Sequence, residues 1–548
     1  MTTPWIRVWT LACALTCWLG GAVLAPAPAA AAERPGDGPP DLTPYQRPLI
    51  PGEGREVLPK LASGTSIVDL VVSAGLGATD TINDSETSIA IDPNNPERIT
   101  ISAFSGSWGE TAPVWNSVDG GAHWTKDQSV PVPPASPDAP QCPCDQTFDY
   151  GRGSQILYGS FLGIGTETEA IWSGDSDNPL AAMAWQWPIG AGQSAATTSH
   201  TTISDQPWLM VNRDPEIEKQ DDVYVAYTDY EVAPAANHVA VSLGATPPLF
   251  AGRQDLVVGT SSGTGFYASA AIRLATNPAN GIVYAAWEDG VTLDTGNCAR
   301  HVIFRLSRSL DHGQSWSLNG SAAGLVVARN ESDEGWPDDP DQAPTVCHNR
   351  VEKFGTVNAL LGGSEAVAVD PASGDVYYVA HARDPHTGQN RLALSHLASN
   401  RRGIVGVAGT SFVTGQVQAA LPAVAVAANG TVGVLYDTYD GMVGGFPQFT
   451  VHFAQSTNRG ATWSTQTILT FLSPAKDNGN ARQRVLGDYQ QLKAVGNVFY
   501  GAFPANGAEA GRSISNIDPF FLRVTAAAPP RGRGHAAAAA DTAAAAER

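Results

Sequence analysis

The sequence predicts an all-β fold, a β-propeller of seven blades that spans residues 65–525. Three observations lead to this prediction. A unit of two strands joined by a turn recurs at intervals of about 60 residues. A motif of unusual spacing occurs three times, and a strand-like run precedes the first unit. Repeats of this length suit four-stranded blades arranged around an axis.

Each unit consists of an apolar strand, a turn with Asn, Gly or Asp, and a second strand rich in Val, Tyr and Phe. The seven units begin near Glu86, Asp145, Asp205, Tyr267, Ser364, Leu421 and Asp488. The wider interval before the fifth unit predicts one long insertion. Residues 65–73 are expected to supply the strand that closes the ring with the last blade. Two β-sandwich domains, or six blades with one misread loop, are the alternatives.

The repeated motif has the spacing Ser-x-Asp/Asn-x-Gly-x-x-Trp, and its three copies begin at Ser117, Ser309 and Ser456. The Asp or Asn side chain can accept hydrogen bonds from local backbone N–H groups, and Gly can take a positive φ. Trp can fold over the turn and bury its ring. The motif therefore predicts three tight turns, each after a short apolar strand.

This motif resembles the Asp box of the sialidase and BNR-repeat superfamily. The resemblance implies a propeller of the Asp-box, sialidase-like type, with each box between the third and fourth strands of a blade on the bottom face. It also implies that inner strands begin at the opposite, top face, where a catalytic pocket lies. Sialidases of that superfamily carry an early Arg-Ile-Pro motif, whereas this chain has Arg98-Ile99-Thr100. Arg350, Arg383 and Arg484 would stand for their arginine triad.

Four carboxylates begin the innermost strands of four units: Glu86, Asp145, Asp205 and Asp488. If the register holds, they point towards one axial pocket, where like charges raise one another's pKa and supply an acid and a base at neutral pH. Asp205 and Asp145 are the acid/base candidates, with Glu86 or Asp488 as partner. Two alternatives remain: an oxygen-rich cage for calcium, and acidic residues that only cap turns.

Aromatic and basic side chains near the same face are the candidates for substrate contact. Flat aromatic faces stack on sugar C–H groups, and arginine can hold a carboxylate through paired hydrogen bonds. Core packing or an isolated surface position is the alternative for each of them. The candidates are Trp208, Tyr489, His200, Arg350, Arg383, Arg484, Tyr230 and Trp287.

The ends of the chain and its cysteines indicate an exported protein. Residues 1–32 have the positive charge, apolar core and small-residue end of a signal peptide. Residues 33–64 form a Pro-rich lead-in, and residues 526–548 an Ala/Pro/Arg tail expected to be disordered. After signal removal, two disulfides in one of three pairings are expected among Cys142, Cys144, Cys298 and Cys347.

Composition narrows the range of partners. The net charge of −21 opposes binding to nucleic acids and to anionic membranes. The acidic and aromatic residues of the top face, together with the resemblance to the sialidase superfamily, lead us to expect a secreted, monomeric enzyme acting on carbohydrate, most simply a sialidase-like glycoside hydrolase, with no cofactor beyond a structural calcium ion. The alternatives are a non-catalytic extracellular propeller that binds glycan or protein, and a propeller polysaccharide lyase with His200 as base.

Overall fold

Seven antiparallel sheets form a ring in the computed structural model, which confirms the predicted propeller. The inner strand of each sheet contacts the inner strands of the two neighbouring sheets, and the last contacts the first. The structure describes residue 49 and residues 60–529. The gaps in that range are 78, 105–113, 128–129, 135–141, 165–168, 182–183, 190–193, 200–202, 233–235, 251–255, 261–271, 294–299, 333–352, 361–364, 384–389, 401–402, 414, 416 and 480–482.

The first four blades follow the predicted units in order. Blade 1 contains β2 (Ser88–Ile91), β3 (Ile99–Ser102), β4 (Val114–Ser117) and β5 (Thr125–Asp127). Blade 2 contains β6 (Cys142–Tyr150), β7 (Leu157–Ile164) and β8 (Glu169–Ser176). Blade 3 contains β9 (Ser204–Arg213), β10 (Asp221–Asp229), β11 (Ala236–Leu243) and β12 (Leu256–Thr260). Blade 4 contains β13 (Ile272–Asn277), β14 (Ile282–Leu293), β15 (Arg300–Ser309) and β16 (Leu325–Ser332).

The other three blades complete the ring. Blade 5 contains β19 (Glu365–Val369), β20 (Val376–Arg383), β21 (Asn390–Asn400) and β22 (Gly403–Phe412). Blade 6 contains β23 (Ala419–Val426), β24 (Val432–Val443), β25 (Phe446–Ser456) and β26 (Ser464–Leu472). Blade 7 contains β27 (Gln491–Val495), β28 (Val498–Asn506) and β29 (Ile517–Thr525), with the 3₁₀ turn Gly507–Ala510 between the last two.

The outermost strand of blade 7 is β1 (Thr65–Asp69), which comes from the other end of the chain. It runs antiparallel to β29, with Ile67 opposite Leu522. The predicted ring closure is thus confirmed, but the strand is shorter than expected. The helix α1 (Leu70–Ser73) follows it, because the Asp69 side chain accepts a hydrogen bond from Val72 N at 2.9 Å and caps the turn.

The long insertion between blades 4 and 5 ends in a small hairpin, β17 (Lys353–Phe354) and β18 (Asn358–Ala359). Asn358 is fully buried there, and its Oδ1 accepts hydrogen bonds from Leu486 N at 2.7 Å and Gly487 N at 2.9 Å. The end of the insertion therefore fixes the segment that leads into blade 7.

The three repeated motifs adopt the predicted turn between the third and fourth strands of blades 1, 4 and 6. Each Gly has a positive φ, +90° at Gly121, +82° at Gly313 and +84° at Gly460. The Gly N donates to the Ser Oγ at 2.9 Å (Gly121–Ser117), 2.8 Å (Gly313–Ser309) and 2.8 Å (Gly460–Ser456). These turns lie on the bottom face, since the inner strands begin at the other face.

Each of these glycines also contacts the third strand of the preceding blade. A Cβ at Gly121 would lie 2.2 Å from Phe521 Cε1, and the corresponding neighbours of Gly313 and Gly460 are Val241 and Leu394. Trp124 packs on the same Phe521 ring at 5.2 Å. The motif therefore joins adjacent blades as well as turning the chain.

Among the described residues, no helix is long and apolar enough to cross a membrane.

Candidate functional site

Three of the four predicted carboxylates are buried at the top of the propeller axis. Glu86 is 1% exposed, Asp145 2% and Asp488 0%, whereas Asp205 is half-buried. Glu86 and Asp145 enter their inner strands with positive φ values of 53° and 44°. Such a backbone is rare outside glycine and turns the side chain out of the strand register.

The register differs in blades 3 and 7. In blade 3 the positive φ, 53°, falls on Gln206, one residue after Asp205. In blade 7 it is 82° and falls on Gly487, one residue before Asp488. The four carboxylates therefore stand at three different positions relative to the residue with positive φ: at it (Glu86 and Asp145), one residue before it (Asp205) or one residue after it (Asp488). Gln206, which the sequence pattern did not reveal, occupies the place equivalent to Glu86 and Asp145.

Arg484 connects two of the carboxylates. Its Nη1 lies 2.5 Å from Asp488 Oδ2 and 3.4 Å from Glu86 Oε1, and its side chain is only 10% exposed. Asp488 N donates to Glu86 Oε1 at 3.2 Å, and Gln206 Nε2 donates to Asp488 Oδ2 at 2.7 Å. The charges of Asp488 and Glu86 raise the pKa of Arg484 against its burial. The guanidinium thus supplies the positive charge that a calcium ion would bring to this part of the axis.

Asp145 lies between two of the other carboxyl groups, because its side chain hydrogen-bonds with both Glu86 and Asp205. Two carboxyl groups can form such a bond only when one of them carries a proton. Burial raises the pKa of Asp145 well above its usual value, and the neighbouring charge of Glu86 raises it further. Burial also raises the pKa of Glu86, while Arg484 opposes that rise. The arrangement therefore favours a proton on this carboxyl chain at a higher pH than an isolated aspartate would keep it.

Arg273 forms the floor of the site together with two of the predicted aromatic residues. Its guanidinium lies 4.3 Å from the Trp208 ring centroid and 5.5 Å from that of Tyr489. The two rings meet edge to face at 5.6 Å, and Arg273 Nη2 donates to Gln206 Oε1 at 3.3 Å. Burial lowers the pKa of Arg273. A charged residue within the apolar strand β13 was the sequence signal for this position.

Below this floor, a channel of about 170 Å³ runs along the propeller axis between the inner strands. Its upper end is lined by Trp208, Arg273 and Tyr489, and its lower end by Asp149 and Lys493, whose charged atoms are 3.7 Å apart. Asp488 of the top-face carboxyl cluster lines the same channel, which therefore extends from that cluster past the aromatic and guanidinium layer to Asp149 and Lys493.

The remaining predicted residues lie apart from this cluster or outside the described residues. Tyr230 is half-buried just after β10, and Trp287 is 1% exposed in the apolar core between blades 3 and 4. Cys144 is buried and disulfide-bonded. The pairing stays a prediction. Outside the described residues or side chains lie His200, Arg350, Arg383, Cys142, Cys298 and Cys347.

Comparison with solved structures finds likeness at low identity. A protein of unknown function from Dyadobacter fermentans is 11% identical with a TM-score of 0.39, over 84% of this chain and 100% of that chain. A polysaccharide lyase is 10% identical with a TM-score of 0.35, over 81% and 78%. An α-L-arabinanase of Cellvibrio cellulosa is 12% identical with a TM-score of 0.31, over 60% and 95%.

No protein-family model matches the sequence, and no curated protein matches it. At these identities and TM-scores, the likeness to solved structures carries no information about the reaction. The chemistry of this protein has to be inferred from the axial cluster itself.

Proposed function

We propose that this protein is a secreted glycan-active enzyme, a glycoside hydrolase that acts at the axial carboxyl cluster on the top face of the propeller. One observation carries the proposal. A half-buried carboxyl, Asp205, is hydrogen-bonded to a fully buried one, Asp145, whose pKa is raised. A carboxyl that keeps a proton at neutral pH is the group that glycoside hydrolysis needs as general acid.

In this proposal Asp205 contacts the substrate, because it is the most exposed of the four carboxyl groups. It donates a proton to the glycosidic oxygen as the bond to the anomeric carbon breaks. Water adds to that carbon, and the proton it releases returns to the carboxyl chain. Asp145 is a positioning residue that holds the reserve proton, and Arg484 pairs with Glu86 and Asp488 behind it.

The sialidase-like form of the proposal needs arginines free to bind a substrate carboxylate. Arg484 is already paired with two carboxylates, so in this form of the proposal that role falls to Arg350 and Arg383. Neutral glycosides therefore belong in the same test as sialosides. Secretion through residues 1–32 is also proposed, and N-terminal sequencing of the exported protein tests it.

The test is turnover by the purified protein on chromogenic sialosides, neutral glycosides and uronate polymers. Asp205→Asn should abolish cleavage with an unchanged melting temperature. The matched control is Asp175→Asn: Asp175 is a buried carboxyl at the bottom end of β8 whose pKa burial raises to about 7. This control should keep full activity, since it removes a similar group from the opposite face.

A folded protein that cleaves nothing on the panel would overturn the enzyme proposal. The non-catalytic binding propeller would then be the better description, and affinity for immobilised glycans would be the next measurement. Equal loss of activity in Asp205→Asn and Asp175→Asn would also contradict the assigned roles, because it would point to a general effect on folding.

A further inference from the structure

A second group of polar side chains lies on the bottom face, at the contact between blades 3 and 4. Asp214 follows β9, Asp222 is in β10, and His312 is in the motif that joins β15 to β16. Their ligand-type atoms all lie within 4.8 Å of one another. Asp214 and Asp222 are buried, whereas His312 is half-buried and open to solvent on one side. This group is on the opposite face from the axial carboxyl cluster.

The distances within the group fit the coordination sphere of a small metal ion. His312 Nδ1 lies 2.9 Å from Asp222 Oδ2 and 3.8 Å from Asp214 Oδ2. Two ligands that each bind zinc at about 2.1 Å are about 3.4 Å apart in a tetrahedral site. The two distances from His312 each differ from this value by about half an ångström.

A fourth side chain points to a missing ligand. Tyr224 is 0% exposed, and its hydroxyl has no hydrogen-bond partner among the described residues. Since buried hydroxyls are nearly always paired, an ion or an ion-bound water at this place would supply the absent partner.

Gln220 orients both carboxylates. Its Nε2 donates to Asp214 Oδ2 at 3.0 Å and to Asp222 Oδ1 at 3.2 Å. Hydrogen bonds of this kind behind metal ligands fix their geometry and are a regular part of metal sites. The amide leaves Asp222 Oδ2 directed at His312.

The same position in the next copy of the motif shows what the site requires. In blade 6 the residue that corresponds to His312 is Arg459, and its Nε lies 3.6 Å from Asp375 Oδ2 of the preceding blade. In blade 1 the corresponding residue is Gly120. Arg459 brings a permanent positive charge to its acidic neighbour. An imidazole brings such a charge only when it is protonated, and a metal ion bound at Nδ1 would supply the charge in place of that proton.

We propose that Asp214, Asp222 and His312 bind one divalent transition-metal ion, of the zinc or manganese class, that joins blades 3 and 4. Two carboxylates and one neutral imidazole carry a charge of −2, which a dication balances. The nitrogen ligand favours such ions over calcium or magnesium, which prefer oxygen ligands alone. His312 binds through Nδ1, so its Nε2 carries the proton and faces solvent.

The test uses the protein stripped of metal by a chelator and then titrated with Zn²⁺, Mn²⁺ or Ca²⁺. We expect one bound Zn²⁺ or Mn²⁺ per chain and a melting temperature raised by several degrees at saturation, because the ion binds the folded state. His312→Gly, which copies Gly120, should weaken binding by about tenfold or more. His312→Arg, which copies Arg459, should be insensitive to metal and at least as stable as the metal-free protein.

His123→Ala is the matched control. His123 occupies the first copy of the motif, is 88% exposed, and lies 2.7 Å from Asp119, so it represents an ordinary surface histidine beside an acid. Its removal should leave binding unchanged. The proposal is overturned if no ion binds at micromolar concentration, if His312→Gly binds as the unaltered protein does, or if His123→Ala removes the bound ion.

Discussion

Arg484 and Asp488 form a buried ion pair at the propeller axis, with Nη1 of the first 2.5 Å from Oδ2 of the second. The pair determines the charge pattern of the whole cluster. Since the same guanidinium lies 3.4 Å from Glu86, both of these carboxylates are stabilised in their ionised form. Burial and the charge of Glu86 raise the pKa of Asp145 well above its usual value, and Arg484 opposes that rise.

Arg484→Ala should be strongly destabilising. It leaves Asp488 and Glu86 buried without their positive partner, which typically costs about 3–5 kcal/mol. The measurement is the free energy of unfolding in urea. The control is Arg459→Ala, which breaks the 3.6 Å pair with Asp375 where the arginine side chain is 65% exposed, and it should cost about 1 kcal/mol or less. Equal losses in the two variants would contradict a buried axial ion pair.

The raised pKa of Asp145 predicts the pH dependence of turnover. A carboxyl with a raised pKa keeps its proton through neutral pH and loses it on the alkaline side. The kcat/KM profile should therefore fall only above neutral pH. Asp145→Asn cannot pass on a proton, so kcat should drop by about 10² or more with little change in KM. A profile that already falls near the usual aspartate pKa of about 4 would disprove the proton-holding role.

Gly121→Ala tests the contact between the repeated motif and the preceding blade. The new Cβ would lie 2.2 Å from Phe521 in a backbone with φ of +90°, so we expect a loss of about 2–4 kcal/mol in unfolding free energy. Gly320→Ala is the control, because its φ is +78° and nothing lies within 4 Å of the added carbon. That variant should lose about 1–2 kcal/mol. Similar losses would mean that the contact with Phe521 adds nothing.

The sequence was sufficient for the architecture because local chemistry repeats in it. The turn motif at Ser117, Ser309 and Ser456 needs only neighbours within eight residues, and the strand period recurs in every blade. The helix α1 was missed, since its residues Leu70–Ser73 are mostly apolar and β-branched, and only the cap from Asp69 reveals the turn. Local pattern favoured a strand there.

The site was predicted only in part. Glu86 and Asp145 could be found because each begins an inner strand, but the contributions of Gln206 and Arg273 depend on backbone irregularity and on rings from other blades. In the metal-site group, His312 is 90 or more positions along the chain from Asp222 and Asp214, which belong to another blade. No local pattern contains such a contact. Long-range pairing across blade boundaries is therefore what the sequence alone did not provide.

Removal of β1 should open the ring. A chain that begins at residue 60 keeps β1 and should melt as the full chain does. A chain that begins at residue 70 loses it and leaves the backbone of β29 as an exposed edge. We expect a clearly lower melting temperature and association in sedimentation experiments. An unchanged, monomeric melt of the shorter chain would show that β1 is not needed to close the propeller.

The raised pKa of Asp69 predicts that the free energy of unfolding falls as the pH rises from about 4 to about 7. Burial raises its folded-state pKa from 3.8 to about 6, although Val72 N donates to it. The folded protein therefore binds more protons than the unfolded chain within this window, and the unfolding free energy declines by up to about 3 kcal/mol before levelling off above the folded pKa. Asp69→Asn keeps the helix cap and should reduce this slope in urea unfolding at several pH values.

The control for this experiment is Asp119→Asn in the first turn motif, where the third copy already carries Asn458. Backbone and side-chain hydrogen bonds from His123 lower the pKa of Asp119 to about 2. Its contribution is then complete above about pH 4 and is lost only at lower pH, so the slope between pH 4 and 7 should not change. If Asp69→Asn shows the same slope of unfolding free energy against pH as the unaltered protein, the buried carboxyl of Asp69 is not the source of that slope.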